Sequence, residues 1–220
     1  MVAMRQLSAD RRTAQTLAPA IAELLAAQGL NARQLGLIAT AVGPGSFTGL
    51  RIAITLAKTL AYATGADLVG VSTLEALAHS LPDELDLAEG TAVEAILFAQ
   101  RRELFVGAFE LVARSQTFGE QDLTLPKLRR CAEDRLLPIA AWRAAVRPHS
   151  VVIGPQATRY AQAEGEGQPA VHPVVADIRA DVVGRLAWRA HQAGRRDDPL
   201  TLLPVYLRPS YAEEKRSGGS

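Results

Sequence analysis

Cysteine, aromatic residues and long apolar runs are all scarce in this sequence. Cys131 is the only cysteine among 220 residues, so no internal disulfide can form, which is typical of a reducing compartment. No stretch approaches the roughly 18 consecutive apolar residues of a membrane span, and residues 1–7 lack the apolar region of a signal peptide. The sequence therefore predicts a cytoplasmic protein.

Charge of either sign is also not in excess. The chain has 24 basic and 23 acidic residues, a formal net charge of +1 and 48% hydrophobic residues. A chain of this length and composition buries a substantial core in one or two domains. Without a strong basic field, we expect any RNA contact to be local or made through a partner.

Residue constellations that would indicate an active site are missing. The four histidines, at positions 79, 149, 172 and 191, are far apart in sequence, and no two have the spacing that sets metal ligands on one helix face. No His lies next to Cys131 to activate its thiol. Neither Ser46 nor Thr48 has a candidate base within a recognisable motif. The residues predict neither a metal centre nor a catalytic nucleophile.

A loop with three glycines carries the strongest local signal. In residues 41–51 an apolar strand runs into this loop and then directly into a long helix. The first two glycines tolerate positive φ and close approach of another segment, and the proline between them stiffens the turn. The loop consists of Gly43, Pro44, Gly45, Ser46, Phe47, Thr48, Gly49 and Arg51.

Two interpretations of this glycine loop are open. Ser46 and Thr48 are candidate N-caps, and a helix N-terminus is a ready site for an anion or a carboxylate. The loop does not match the phosphate-loop motif, because Leu50 and Arg51 stand where that motif has Lys and Ser or Thr. It also fails the dinucleotide fingerprint. The loop is therefore either a tight strand-to-helix turn or a contact for an anion or a partner.

Four stretches together resemble the bacterial TsaB family, the non-catalytic partner in the pathway that makes threonylcarbamoyladenosine in tRNA. The first is the glycine loop, and the second is Val69-Gly70-Val71-Ser72-Thr73-Leu74-Glu75-Ala76-Leu77-Ala78. The others are Arg101-Arg102-Glu103 and Pro204-Val205-Tyr206-Leu207-Arg208-Pro209. They are spread in the family's order over most of the chain. The family belongs to a superfamily once labelled glycoprotease.

The resemblance implies an α/β fold with two lobes, actin-like or sugar-kinase-like and related to RNase H. It also implies a departure, because the family begins with a strand bearing an Ile-Asp-Thr-Ser-like run and a returning hairpin, which this sequence lacks. We expect the first lobe to miss those strands, either through a late start or through loss. Removing a central first strand would leave unpaired backbone groups in that lobe.

The pattern along the chain divides it into four parts. We expect a first lobe at residues 1–90, a second lobe at 91–176, a returning helix and extended segment at 177–211, and a disordered tail at 212–220. In the first lobe we expect helix 11–28, strand 35–42, helix 48–64, strand 67–71 and helix 73–79. In the second lobe we expect a hairpin of strands 92–99 and 104–112, helix 139–146, strand 150–154 and helix 156–164. The returning segment begins with helix 177–193. Residues 113–138 show no clear period beyond one strand near Leu123.

Two helices of the first lobe are the candidate partner-binding surface. The helix at 48–64 is apolar almost all round, with a ridge of small side chains at every fourth position, so it needs neighbours on two sides. The spacing does not say whether the second neighbour is another helix of this chain or another protein; the resemblance favours the partner. The candidate residues are Leu17, Ile21, Leu24, Ala53, Ile54, Ala57, Lys58 and Ala61.

By resemblance, the chain is a scaffold for the TsaD-type catalytic subunit, together with the family's TsaE-type ATPase. The complex would place threonylcarbamoyl on the adenosine next to the anticodon, with ATP and metal held by partner subunits, tRNA engaged indirectly and no catalysis by this chain itself. A homodimer without the partner stays open. The rivals are a degenerate actin-like nucleotide-binding phosphotransferase or hydrolase and, in a third class, a metalloprotease.

Overall fold

The structure is a computed structural model that describes residues 2–7, 13–82, 84–116, 125–161 and 170–208. The expected disordered tail, the first two residues of the predicted first helix, Leu123 and the end of the predicted helix 156–164 lie outside the described residues. No helix of the described part is long and apolar enough to cross a membrane.

The first lobe is built on only two strands. Parallel strands β1 and β2 pair from Leu37↔Asp67 to Gly43↔Ser72. Its elements are helix α1 (Thr13–Ala27), a short 3-10 helix (Ala32–Gln34), β1 (Leu37–Gly43), helix α2 (Phe47–Thr64), β2 (Asp67–Ser72) and helix α3 (Thr73–Ala78).

The second lobe carries a larger mixed sheet of order β5-β4-β3-β7-β8, with β6 also paired to β4. β3, β7 and β8 are parallel, and β4 runs antiparallel to β3, β5 and β6. The elements are β3 (Ala92–Phe98), β4 (Glu103–Gln116), β5 (Leu125–Arg130), β6 (Arg135–Pro138), helix α4 (Ile139–Ala145), β7 (Val151–Gly154), helix α5 (Ala157–Ala161), β8 (His172–Val175) and helix α6 (Ala180–Gln192).

Three strands of this sheet are absent from the sequence prediction. Residues 125–130 and 135–138 form β5 and β6, where no clear period was expected. Both are half exposed and rich in arginine, so they lack the apolar alternation that marks a strand. β8 contains Pro173 and is mostly exposed at the sheet edge, where proline is tolerated.

Helix α6 closes the first lobe although it follows the second in sequence. Its buried side chains Val182, Val183, Leu186 and Ala187 pack with Val69 and Val71 of β2. At its end, the His191 Nε2 lies 2.7 Å from the Asp67 Oδ2. This hydrogen bond, with another from Arg196, lowers the pKa of Asp67. The two-stranded sheet therefore receives one face of its core from the end of the chain.

A buried carboxylate fixes helix α4 to the second sheet. The indole Nε1–H of Trp142 donates a 2.6 Å hydrogen bond to the Glu94 Oε2, and both residues are less than 10% exposed. Burial raises the pKa of Glu94, and the hydrogen bond from Trp142 opposes this shift. The bond satisfies a carboxylate that would otherwise be costly to bury.

Candidate functional site: the glycine loop and the first-lobe helices

The glycine loop joins β1 to α2 and is packed against the end of the chain. Gly43 has φ of 117°, and a Cβ there would lie 2.6 Å from the Val205 carbonyl oxygen. The Val205 N–H donates a 2.7 Å hydrogen bond to the Val42 carbonyl oxygen. The Gly43-Pro44 peptide is cis. The segment that approaches this first glycine is therefore part of the same chain.

Of the two candidate N-caps, Ser46 has the capping role. Its Oγ accepts a 3.3 Å hydrogen bond from the Gly49 N–H, and α2 begins at Phe47. Thr48 lies in the first turn of the helix and is exposed. The helix ends at Thr64, and the C-cap residue Gly65 has a φ of 75°, the left-handed conformation that favours glycine at a helix end.

Arg51 anchors the loop to the chain end. Its guanidinium lies 3.9 Å from the centre of the Phe47 ring, and its Nε donates a 3.0 Å hydrogen bond to the Tyr206 hydroxyl. The Phe47 and Tyr206 rings stack with centroids 5.0 Å apart. Phe47 and Tyr206 are each 41% exposed, so the cluster lies at the surface and is not part of the core.

The segment that supplies Tyr206 is the strap, defined here as residues 195–208. It begins beside β2, where the Asp197 N–H donates to the Leu68 carbonyl oxygen and the Gly70 N–H donates to the Asp197 Oδ2, at 2.8 and 2.7 Å. Arg195 donates to the Gly70 carbonyl oxygen at 2.8 Å. The strap therefore satisfies the backbone edge of β2 that faces away from β1.

The strap then runs along α2. The Lys58 ammonium donates to the carbonyl oxygens of Leu200 and Leu202, at 3.3 and 3.0 Å. The Leu202 side chain packs with two clusters of α2 and sheet residues. Lys58, one of the candidate partner-binding residues, is thus engaged within the chain.

Three other candidate residues of α2 are also covered by the chain itself. Ile54 is 3% exposed, Ala57 6% and Ala61 2%. Ile54 packs with Val42 and Leu50, and the two alanines pack with Leu68. Ala57 and Ala61 of the predicted ridge therefore face the lobe's own sheet and strap. A partner that approaches the helix from solvent would contact other residues.

The remaining candidates lie where a partner has access. Ala53 of α2 is half-buried, as are Leu17, Ile21 and Leu24 of α1, which packs on α2. The solvent side of this helix pair, called here the outer helix face, has small side chains at every fourth position of α1. It comprises Ala14, Ala18, Ala22 and Ala26 of α1 with Thr55, Thr59 and Tyr62 of α2, all exposed.

A charged network joins the two lobes near α3. The Ser72 hydroxyl donates a 3.2 Å hydrogen bond to Asp134, which also pairs with Arg130. Glu75 lies 3.9 Å from Arg130 and 3.7 Å from Arg189 of α6. The Asp134 carboxylate also lies close to Gly107, where a Cβ on the glycine would be 3.1 Å from the Asp134 Oδ1. The lobes are therefore held together by their own side chains at this point.

His79 lies at the end of α3, in the interior. Its Nδ1 is 2.9 Å from the Glu75 carbonyl oxygen, and its buried Nε2 has no hydrogen-bond partner within the described part of the chain. Burial lowers the pKa of His79 to about 4, so the ring is neutral at pH 7 and Nδ1 carries the proton. Within the described residues, no three His, Cys, Asp or Glu side chains form a group able to hold a metal ion.

The comparisons with known proteins agree on one family. The family model described as "TsaD: tRNA N6-adenosine threonylcarbamoyltransferase" matches residues 7–120, which is more than half of the chain. Three relatives are each named tRNA threonylcarbamoyladenosine biosynthesis protein TsaB. The chain belongs to the family that this model describes, and within it the chain is of the TsaB type.

The TsaB-type relatives match parts of the chain at moderate identity. The Haemophilus influenzae protein is 32% identical over 115 residues, 51% of this chain and 46% of that protein. The Bacillus subtilis protein is 47% identical over 60 residues, 27% of this chain and 26% of that one. The chain therefore spans about half the length of the first of these relatives, and less of the second.

The solved structures extend the TsaB-type likeness over nearly the whole chain. YeaZ from Pseudomonas aeruginosa superposes with a TM-score of 0.69 at 26% identity, covering 90% of this chain and 85% of that one. A structure titled as an uncharacterized protein similar to peptidase YEAZ, also from Pseudomonas aeruginosa, gives a TM-score of 0.70 at 27% identity with the same coverage. The two-lobe actin-like fold expected from the sequence is thereby confirmed.

Sequence reasoning missed the strap's role in this TsaB-type chain. The prediction singled out the Pro204-to-Pro209 stretch as a family motif but gave it no contact with the glycine loop. Asp197 and Lys58, which hold the strap in place, look like ordinary surface charges in sequence. The only available signal was that two motifs far apart, around Gly43 and Tyr206, occur in one chain.

Proposed function

We propose that this chain is the scaffold subunit of a tRNA threonylcarbamoyladenosine-forming complex, and that it acts by binding a TsaD-type catalytic subunit. The observation that carries the proposal is membership of a family whose relatives are named for that biosynthesis. In this proposal a TsaE-type ATPase completes the machinery, and ATP and metal are held by the partner subunits. In this proposal the chain contributes a binding surface for the catalytic subunit and takes no part in the chemical step.

The outer helix face supports this proposal. Helix α1 presents a row of exposed alanines to solvent, and small side chains let another helix approach closely. Ala18 and Ala22 lie on its α1 half, and neither is needed for the core, since both are exposed. The inner alanines at positions 57 and 61 already have a packing role. The same two helices thus use one side for their own lobe and keep the other for a partner.

The nucleotide-binding rival is less well supported. An actin-like phosphotransferase holds its nucleotide between the lobes, and in this chain Asp134 and Arg130 of the second lobe contact Ser72 and Glu75 of the first. These contacts join the lobes at the start of α3. The rival predicts stoichiometric ATP binding by the isolated chain, and the scaffold proposal predicts none.

Co-purification with the TsaD-type protein of the same organism tests the proposal. Ala22→Arg puts a long charged side chain on the outer helix face and is expected to abolish the complex, because close helix packing excludes it. Ala57→Arg is unsuitable as the interface test, because this alanine is buried in the chain's own core and its replacement would unfold the lobe.

Ala144→Arg is the matched control, because Ala144 is an exposed alanine on helix α4 of the second lobe. This variant is expected to co-purify like the native chain, and circular dichroism checks that both variants are folded. A native chain that does not co-purify, or an Ala22→Arg variant that binds undiminished, would contradict the proposed contact.

A further inference from the structure

Two exposed histidines lie side by side at the edge of the second sheet. The rings of His149 and His172 have centroids 6.4 Å apart and are tilted by 34°, and both residues are exposed. His149 lies in the turn before β7, and His172 is the first residue of β8. Parallel pairing of β7 with β8 therefore brings together two imidazoles that are more than 20 residues apart in sequence.

The backbone holds both histidines in place. The His149 N–H donates a 2.6 Å hydrogen bond to the Ala170 carbonyl oxygen, and the His172 N–H donates a 2.8 Å hydrogen bond to the Ser150 carbonyl oxygen. His149 has a φ of 61°, a left-handed conformation that is uncommon for residues other than glycine, although His is enriched there. The two hydrogen bonds fix the main chain on both sides, so only rotation of the side chains changes the distance between the rings.

The separation of the rings is compatible with two imidazoles on one metal ion. Metal–nitrogen distances of about 2.0–2.1 Å put the centroids of two liganding rings roughly 4.5–6.5 Å apart, depending on the angle at the metal. The observed 6.4 Å lies at the wide end of this range, and exposed side chains rotate readily. Imidazole nitrogen suits copper, nickel and zinc, whereas magnesium and calcium prefer oxygen ligands.

The other histidines and the cysteine of the chain lie elsewhere. His79 is only 3% exposed, and the Nε2 of His191 is engaged by Asp67. Cys131 follows β5, which is at the opposite edge of the sheet from β8. Four strand spacings of 4.7–4.9 Å separate these edges by about 19 Å. The exposed thiol is therefore too far away to join the histidine pair.

We propose that His149 and His172 bind one divalent transition-metal ion of the copper, nickel and zinc class, with water in the remaining positions. Within the described residues no third His, Cys, Asp or Glu joins the pair, so the ion is exchangeable. It ties edge strand β8 to the turn before β7. This site is separate from the metal of the partner subunits in the scaffold proposal, on which it does not depend, and it differs from the sequence expectation of no metal centre.

Calorimetric titration of the isolated, untagged chain with Zn²⁺ and with Cu²⁺ tests this inference. The Cys131→Ser chain serves as the background, because an exposed thiol binds the same ions. One ion per chain is expected. His149→Gln and His172→Gln are each expected to weaken binding at least about tenfold, because the second imidazole of a chelating pair binds at a high effective concentration.

Two further readouts separate this pair from unspecific binding. The electron paramagnetic resonance spectrum of bound Cu²⁺ should show coupling to two imidazole nitrogens in the background chain and to one in either variant. Zn²⁺ should raise the midpoint of thermal unfolding in the background and not in the variants, since a ligand of the folded chain stabilises it. Both substitutions are at exposed positions, and circular dichroism checks that the variants are folded.

His191→Gln is the matched control, because it removes a histidine outside the pair and its amide can still donate to Asp67. It should bind Zn²⁺ and Cu²⁺ like the background, and Mg²⁺ should not bind at all. No binding of either ion at an excess of metal over chain would overturn the inference. Equal weakening in His191→Gln, a single nitrogen in the background spectrum, or binding that Cys131→Ser alone abolishes would also overturn it.

Discussion

The two sheets of this protein are covered very differently. β3, at the centre of the second sheet, pairs with β4 and β7 and has four consecutive buried residues. β1, in the first sheet, pairs only with β2 among the described residues, and its first three residues are half-buried. Parallel strands are normally covered on both sides. One face of the second sheet is covered by Leu74, Leu77 and Ala78 of α3, and the first sheet obtains part of its core from α6, late in the sequence.

Within the first sheet the same contrast separates the two strands. β2 has four buried residues in succession, because the strap satisfies its outer edge and α6 covers its face. β1 has α2 above it but no described strand on its other edge. The expectation that this lobe lacks its first strands stays a prediction. A two-stranded sheet is only marginally stable alone, so the strap and α6 are part of the first lobe's structure.

The largest expected effect compares one isoleucine from each sheet. Ile153→Ala, in β7, removes a side chain that is fully buried and is expected to lower the free energy of unfolding by about 3–4 kcal/mol, since it leaves a cavity. Ile38→Ala, in half-buried β1, is expected to cost about 1–2 kcal/mol. Urea unfolding followed by circular dichroism measures both. Equal losses would show that β1 is as well covered as β7.

The next expected effect is a pH dependence of stability caused by His79, the residue that follows the last residue of α3. Its pKa falls from 6.5 to about 4 in the folded chain. Between these values the unfolded chain binds a proton that the folded chain does not, so stability decreases as pH falls from about 6.5 to 4, by about 3 kcal/mol. Unfolding midpoints measured across this range should show the slope.

His79→Leu is expected to flatten that slope between pH 6.5 and 5, above the range where ordinary carboxylates titrate. His172→Leu, at an exposed site in β8, is the control and should keep it. A slope that survives in His79→Leu would mean that another group, and not the buried ring, links the stability of the lobes to pH.

The sequence predicted what depends on local pattern. Helix α2 with its Ser46 cap, helix α3 with its Ser72 cap and the hairpin of β3 and β4 follow from hydrophobic period, turn residues and capping residues. Strands β5 and β6 were not predicted, because they are strands only through their pairing with β4. The sequence also did not predict the left-handed backbone of residues 100–102 or the hydrogen bond that Arg208 donates to the neighbouring Ala99 carbonyl oxygen.

The candidate site shows the same division. The glycine loop was found from spacing alone, but its nearest neighbour, Val205, comes from more than 150 residues away. The helix ridge was also found, yet which of its sides faces solvent depends on Leu202 and the sheet. The hydrophobic period of a helix predicts which side chains share a face. Tertiary packing decides whether that face lies in the core or is open to a partner.

The most direct test of the scaffold proposal is reconstitution of the reaction. The TsaD-type subunit and the TsaE-type ATPase of the same organism are supplied with threonylcarbamoyl-adenylate, ATP and unmodified tRNA, with and without this chain, and threonylcarbamoyladenosine is measured by mass spectrometry of digested tRNA. The proposal predicts that product forms only, or at least tenfold faster, when the chain is present, and that the chain alone forms none. Equal product without the chain would contradict it.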